Sequence, residues 1–126
     1  MINPEHIIIS YDIDGTVVAG DPPGRISMAM IQETKDLGYI IGSASDRTLT
    51  DQRQIWNKNS IEMEFIVLKH TLPDLVKKYD HVLGFHIGDT NMDEFYAKQA
   101  GLIFIDIING DFDTFWNNVV NCSFQV

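Results

Sequence analysis

A repeated alternation constrains this chain more than any other feature. Five short apolar runs, rich in β-branched residues, are separated by polar turns and stretches of helical spacing: His6 to Ser10, Tyr39 to Ser45, Phe65 to Leu68, His81 to Ile87 and Leu102 to Ile105. None is long enough for a helix of its own, and none alternates cleanly between polar and apolar residues. That is how strands buried on both faces read, so a parallel sheet covered by helices on each side is expected. The helices are expected from Ile26 through Leu37, from a Thr48 or Thr50 cap to about Trp56, from Leu72 to Tyr79, from the Asp93 region to about Gln99, and from Asp113 to Val120. Val17 to Gly24, with its Gly-Asp-Pro-Pro-Gly cluster, reads as a short turn or hairpin.

Length and charge narrow the function. At 126 residues and 44% apolar content the chain is expected to be one globular domain, residues 1–126. The N-terminus lacks the basic and apolar segments of a signal peptide and no run could span a membrane, so a cytoplasmic location is expected. Cys122 has no partner for an internal disulfide and reads as a reduced, structural thiol. Eighteen acidic and nine basic residues give a formal charge of −9, and leaving out four acids assigned to chemistry below still leaves −5. Such a surface argues against non-specific nucleic-acid binding, which depends on Lys and Arg. It still admits a small phosphorylated substrate where a cation reverses the local sign.

In open sheets of this class ligands bind beyond the carboxyl ends of the strands. The unusual polar residues collect there: Asp12 and Asp14 after the first strand, Ser45 and Arg47 after the second, Lys69 after the third, Asp89 and Asp93 after the fourth. Asp12 and Asp14 lie two residues apart at a strand end, where side chains can point the same way. A solvated acidic turn is the plainer reading of Asp12-Ile13-Asp14-Gly15-Thr16 taken alone. Its partners after the other strands change that.

The order and spacing resemble the haloacid dehalogenase superfamily, most of whose members are magnesium-dependent phosphatases or phosphotransferases. Asp12-Ile13-Asp14-Gly15-Thr16 looks like its first motif, Ser45 its second, Lys69 its third and Gly88-Asp89-Thr90-Asn91-Met92-Asp93 its fourth. The resemblance covers about Ile7 to Ile105. It implies a Rossmann-like three-layer α/β/α sandwich with a five-stranded parallel sheet. Asp12 would be the nucleophile that forms an aspartyl-phosphate, and Asp14 the acid and base, with its backbone carbonyl on the metal. Asp12 and Asp89 would be the carboxylate ligands of Mg2+. Asp93 would stand by as a further acceptor at the metal or as the group that orients Lys69, and an anion at the start of the following helix is equally natural there.

Ser45, nearer the strand end than Ser43, would hydrogen-bond a phosphoryl oxygen, and Lys69 would neutralise developing charge. Gly15 and Thr16 are assigned to the phosphate-binding turn. Arg47 either reaches substrate or caps the strand and faces water. His86 reads as a packed, hydrogen-bonded histidine, and Trp56 and Trp116 as core or interface.

Larger members of that superfamily carry a cap after the first motif or between the second and third. Thr16 to Tyr39 and Asp46 to Lys69 are too short for one, so a capless form is expected, with Val17 to Gly24 as the local lid. An open site implies a bulky substrate or a second copy of the chain covering it. The expected activity is phosphomonoester hydrolysis. The alternatives are a polynucleotide 3'-phosphatase, which the acidic surface counts against, and a binding or regulatory module with little turnover.

Overall fold

The computed structural model describes residues 1–125. Its strands are β1 (Ile7–Tyr11), β2 (Ile40–Ser45), β3 (Phe65–Leu68), β4 (Leu83–Gly88) and β5 (Ile103–Asp106), and its helices α1 (Met28–Asp36), α2 (Leu49–Lys58), α3 (Leu72–Val76), α4 (Asn91–Gln99) and α5 (Phe112–Val120). All strand pairs are parallel, in the order β3-β2-β1-β4-β5. The chain winds outward one way from β1 through β2 to β3 and the other way from β4 to β5. The winding therefore reverses between β1 and β4, where a crevice forms beyond the strand ends.

Alternate residues of β1 serve two cores. Ile7, Ile9 and Tyr11 pack with Ile31 of α1, Trp56 of α2 and Phe112, Phe115 and Val119 of α5. Ile8, on the other face, packs with Ala44, Phe65, Leu72 and Val76 of α3 and Ala97 of α4. The result is a three-layer α/β/α sandwich of the Rossmann-like type. Neither interval named above holds a folded cap: one contains α1, the other α2 and β3.

Local chemistry explains where the elements begin and end. Ser27 accepts the Met30 amide at 3.2 Å and starts α1 two residues later than its apolar pattern suggests. Thr48, not Thr50, caps α2 by accepting the Asp51 amide at 3.1 Å. α3 stops at Val76, short of Tyr79, because Lys78 and Tyr79 close tight turns onto Leu75 and Val76. The Tyr79 ring then lies 5.7 Å from Phe65, and its hydroxyl donates to the Glu64 carbonyl. Val17 to Gly24 is a compact loop whose flanks pair as a single bridge between Val17 and Ile26, rather than a hairpin. Trp56 is fully buried in the core, as expected, and Trp116 stacks on Phe112 at 5.6 Å.

β2 needs glycine at one point, because a Cβ on Gly42 would overlap the ring of Phe65 on the neighbouring strand. Gly42→Ala is expected to cost about 1–3 kcal/mol by overpacking. In urea denaturation, adding Phe65→Leu to the same chain should recover part of that loss.

Candidate functional site

Strand register brings the polar residues together. The Asp12 amide donates to the Ile87 carbonyl at 3.0 Å, so the chain leaves β1 still tied to β4. Asp12 therefore emerges on the face of Ile8 and Ser10, opposite the start of α4. Gly15 has φ +74°, and a Cβ there would overlap the Asp89 carboxylate. A side chain at that turn would keep the first and fourth acidic segments apart. Carboxylate oxygens of Asp12, Asp89 and Asp93 all lie within 4.8 Å of one another.

Lys69 begins a single 3-10 turn, Lys69–Thr71, directly after β3. The residue is only 3% exposed. Its Nζ sits 3.0 Å from Asp93 Oδ1, 3.5 Å from Asp12 Oδ1 and 3.6 Å from Asp46 Oδ2. Asp93 is fully buried, and both its oxygens are occupied. Oδ1 meets Lys69 and His86 Nε2, the latter at 2.8 Å. Oδ2 accepts from the Thr90 hydroxyl at 2.7 Å and from the Thr90 and Asp89 amides at 3.1 and 3.3 Å. Thr90 in turn caps α4 by accepting the Asp93 amide. The two sequence readings of Asp93, orienter of Lys69 and anion at a helix start, are thus compatible. Asp89 Oδ1, by contrast, is buried without a hydrogen-bond partner.

Arg47 lies on Asp14. Its Nη2 donates at 2.8 Å and its Nε at 3.1 Å to Oδ1, and Nε also approaches Oδ2 at 3.2 Å. The Asp21 amide adds a bond at 2.8 Å to the same carboxylate, which draws the loop holding Pro22 over the site. A cavity of about 230 Å³ is lined by Asp12, Asp14, Pro22, Asp46, Lys69, Asp89 and Thr90. Two larger hollows, about 290 Å³ along α2 and about 440 Å³ beside the N-terminus, contain no buried carboxylate or buried cation among their lining residues.

Not every residue singled out above reaches that cavity. Ser45 is buried, and its hydroxyl accepts the Arg47 amide at 3.0 Å. Ser43 turns to Gln52 at 2.7 Å. Thr16 is fully buried with its hydroxyl unpaired. Sequence reasoning missed Gln52, whose amide donates to the Arg47 and Val67 carbonyls at 2.9 and 3.1 Å and so ties the loop after β2 to strand β3. Its signal was a polar residue four before Trp56, on the buried face of α2.

Burial dominates the electrostatics. It raises the Asp12 carboxyl, with the neighbouring Asp93 and Asp89 adding to the effect and Lys69 opposing it, from 3.8 to about 8. Asp89 is raised by burial and by Asp93, against the opposing pull of a backbone amide, a side-chain hydrogen bond with Asp12 and the Lys69 charge. Burial would raise Asp93 too, but His86, Lys69 and Thr90 outweigh it and hold that carboxyl well below the usual range. Burial would likewise raise Asp14, yet Arg47 and the Asp21 amide keep it low. Burial pulls Lys69 down, but Asp12, Asp93 and Asp46 outweigh it and raise it above its ordinary value.

Between 3.8 and about 8 the folded chain keeps a proton on Asp12 that the unfolded chain has lost, so stability should fall as pH rises through that window. Asp89 acts with the same sign; the depressed Asp93 and Asp14 matter only below 3.8, and Lys69 only above 10.5. With a chelator present, Tm is expected to drop between pH 5 and pH 8, and Asp12→Asn should flatten the slope. An unchanged slope in that variant would contradict the assignment.

No family model, curated protein or solved structure matches this chain.

Proposed function

We propose that the chain is a magnesium-dependent phosphomonoester hydrolase that works through an aspartyl-phosphate on Asp12. The observation that carries this reading is Asp89 Oδ1, a buried carboxylate oxygen with no partner, close to Asp12 and Asp93. A buried anion with an unfilled lone pair is costly, and a hard divalent cation is the ligand that satisfies it. With Asp12, Asp89 and Asp93 all ionised and Asp46 at the rim, Lys69 alone leaves the cavity with excess negative charge, which a divalent cation would offset. Asp12 and Asp89 would hold it, together with the Asp14 carbonyl that the family resemblance implies. Asp93 is left to grip Lys69, since its oxygens are taken. When bound, Mg2+ would neutralise charge on the phosphoryl oxygens.

The side chains then divide the work. An Asp12 oxygen attacks phosphorus in line while the bond to the leaving oxygen breaks. Lys69 balances charge on the equatorial oxygens. Arg47 moves from Asp14 to the incoming phosphate, and Asp14, thus released, takes up a proton and passes it to the leaving alkoxide. In the second half Asp14 accepts a proton from water as that water attacks phosphorus. The bond from phosphorus to Asp12 breaks and inorganic phosphate departs.

A panel of phosphorylated metabolites and 3'-phosphorylated oligonucleotides, assayed with Mg2+, tests the reading. Asp12→Asn should abolish turnover of every ester the wild-type chain hydrolyses while leaving circular dichroism unchanged; wild-type turnover in that variant would overturn it. Millimolar Mg2+ should also raise Tm at pH 8, because a ligand that binds only the folded state stabilises it. Excess chelator should reverse the gain, and Asp89→Asn should lose it.

A further inference from the structure

His86 is fully buried in β4, and neither the proposed chemistry nor the cavity lining uses it. Register sets it directly opposite Ser10 of β1, so the two side chains share a face of the sheet. The Ser10 hydroxyl lies 2.8 Å from His86 Nδ1, and His86 Nε2 lies 2.8 Å from Asp93 Oδ1. That same oxygen holds the Lys69 ammonium at 3.0 Å, and Lys69 reaches Asp12 at 3.5 Å. An unbroken line of buried contacts thus runs from Ser10 through His86, Asp93 and Lys69 to Asp12.

We infer that His86 is a positioning residue, whose Nε2–H holds the Asp93 carboxylate in the orientation that places Lys69 against Asp12. An ionised carboxylate only accepts hydrogen bonds, so the ring nitrogen facing Asp93 must carry the proton. Ser10, at the opposite nitrogen, fixes the ring plane. Without the Nε2 donor, Asp93 Oδ1 would keep Lys69 as its sole partner, and the carboxylate would be fixed from its Oδ2 side alone, by the Thr90 hydroxyl and the Thr90 and Asp89 amides, leaving Oδ1 free to tilt. The Lys69 ammonium would then follow it away from Asp12. Partners that orient a metal ligand from behind are typically worth roughly 10–100-fold in activity, and an effect of the same order is expected for a partner that orients Lys69 through Asp93.

The inference rests on the phosphatase reading for its kinetic consequence, but its geometry can be tested without turnover. In 15N-labelled wild-type protein, the His86 ring should show its proton on Nε2; a ring protonated only on Nδ1 would overturn the inference. Kinetics then compare two polar replacements. The amide nitrogen of His86→Gln reaches the place of Nε2, whereas that of His86→Asn reaches only the place of Nδ1. His86→Gln should keep kcat within about threefold of wild type, while His86→Asn should lose roughly 10–100-fold in kcat with little change in KM. Equal kcat in the two variants would overturn the inference. Should His86→Asn fail to fold by circular dichroism, the ring protonation decides by itself. A wild-type chain that hydrolyses no ester of the panel would instead sink the phosphatase reading, and the ring proton would still judge the geometry.

Discussion

The site depends on one buried cation. Lys69 sits almost wholly out of water, and an ammonium in such a place is tolerated only when carboxylates surround it closely. Asp93 and Asp12 do so: Lys69 helps to keep Asp93 ionised and opposes the burial that favours a proton on Asp12. The three groups therefore stand or fall together. The same contacts hold together the chain ends that follow β1, β3 and β4. Gln52 adds a neutral clamp by tying the loop that follows β2 to strand β3.

This cluster is under-satisfied on one side only. Asp93 has every lone pair occupied, whereas Asp89 Oδ1 has none, and Asp12 is pushed toward its protonated form by its neighbours. A purely structural ion pair network would gain by filling that gap with another donor. Leaving it open costs stability, and such strain is commonly kept where a ligand or a reaction uses it. The Arg47 to Asp14 clamp belongs to the same economy of charge, since it neutralises a site carboxylate that is only partly buried.

Much of the fold was legible because strands buried on both faces leave a direct trace. Ile7 to Ile9 and Phe65 to Leu68 have no polar face to display, and β3 begins and ends where its apolar run does. Helix ends were less legible, because they depend on which hydroxyl caps: Ser27 and Thr48 win by reaching an amide three residues on. The acidic motif residues stood out as charges at strand ends. His86 was legible as a packed, hydrogen-bonded histidine, though not its partners, and Ser10 and Gln52 were not, since a buried polar side chain looks like any other until its partner is brought beside it.

The sequence by itself determined the class of sheet, the edge at which the charges gather and the identity of the carboxylates and the lysine there. Only the tertiary structure decided what each charge touches. Arg47 goes to Asp14, Ser45 to the Arg47 amide, and Asp93 to Lys69 and His86. The physical reason is range. Strand and helix formation follow from patterns over a few neighbouring residues, whereas Ser10 and His86 lie 76 positions apart and meet only because β1 and β4 pair in register.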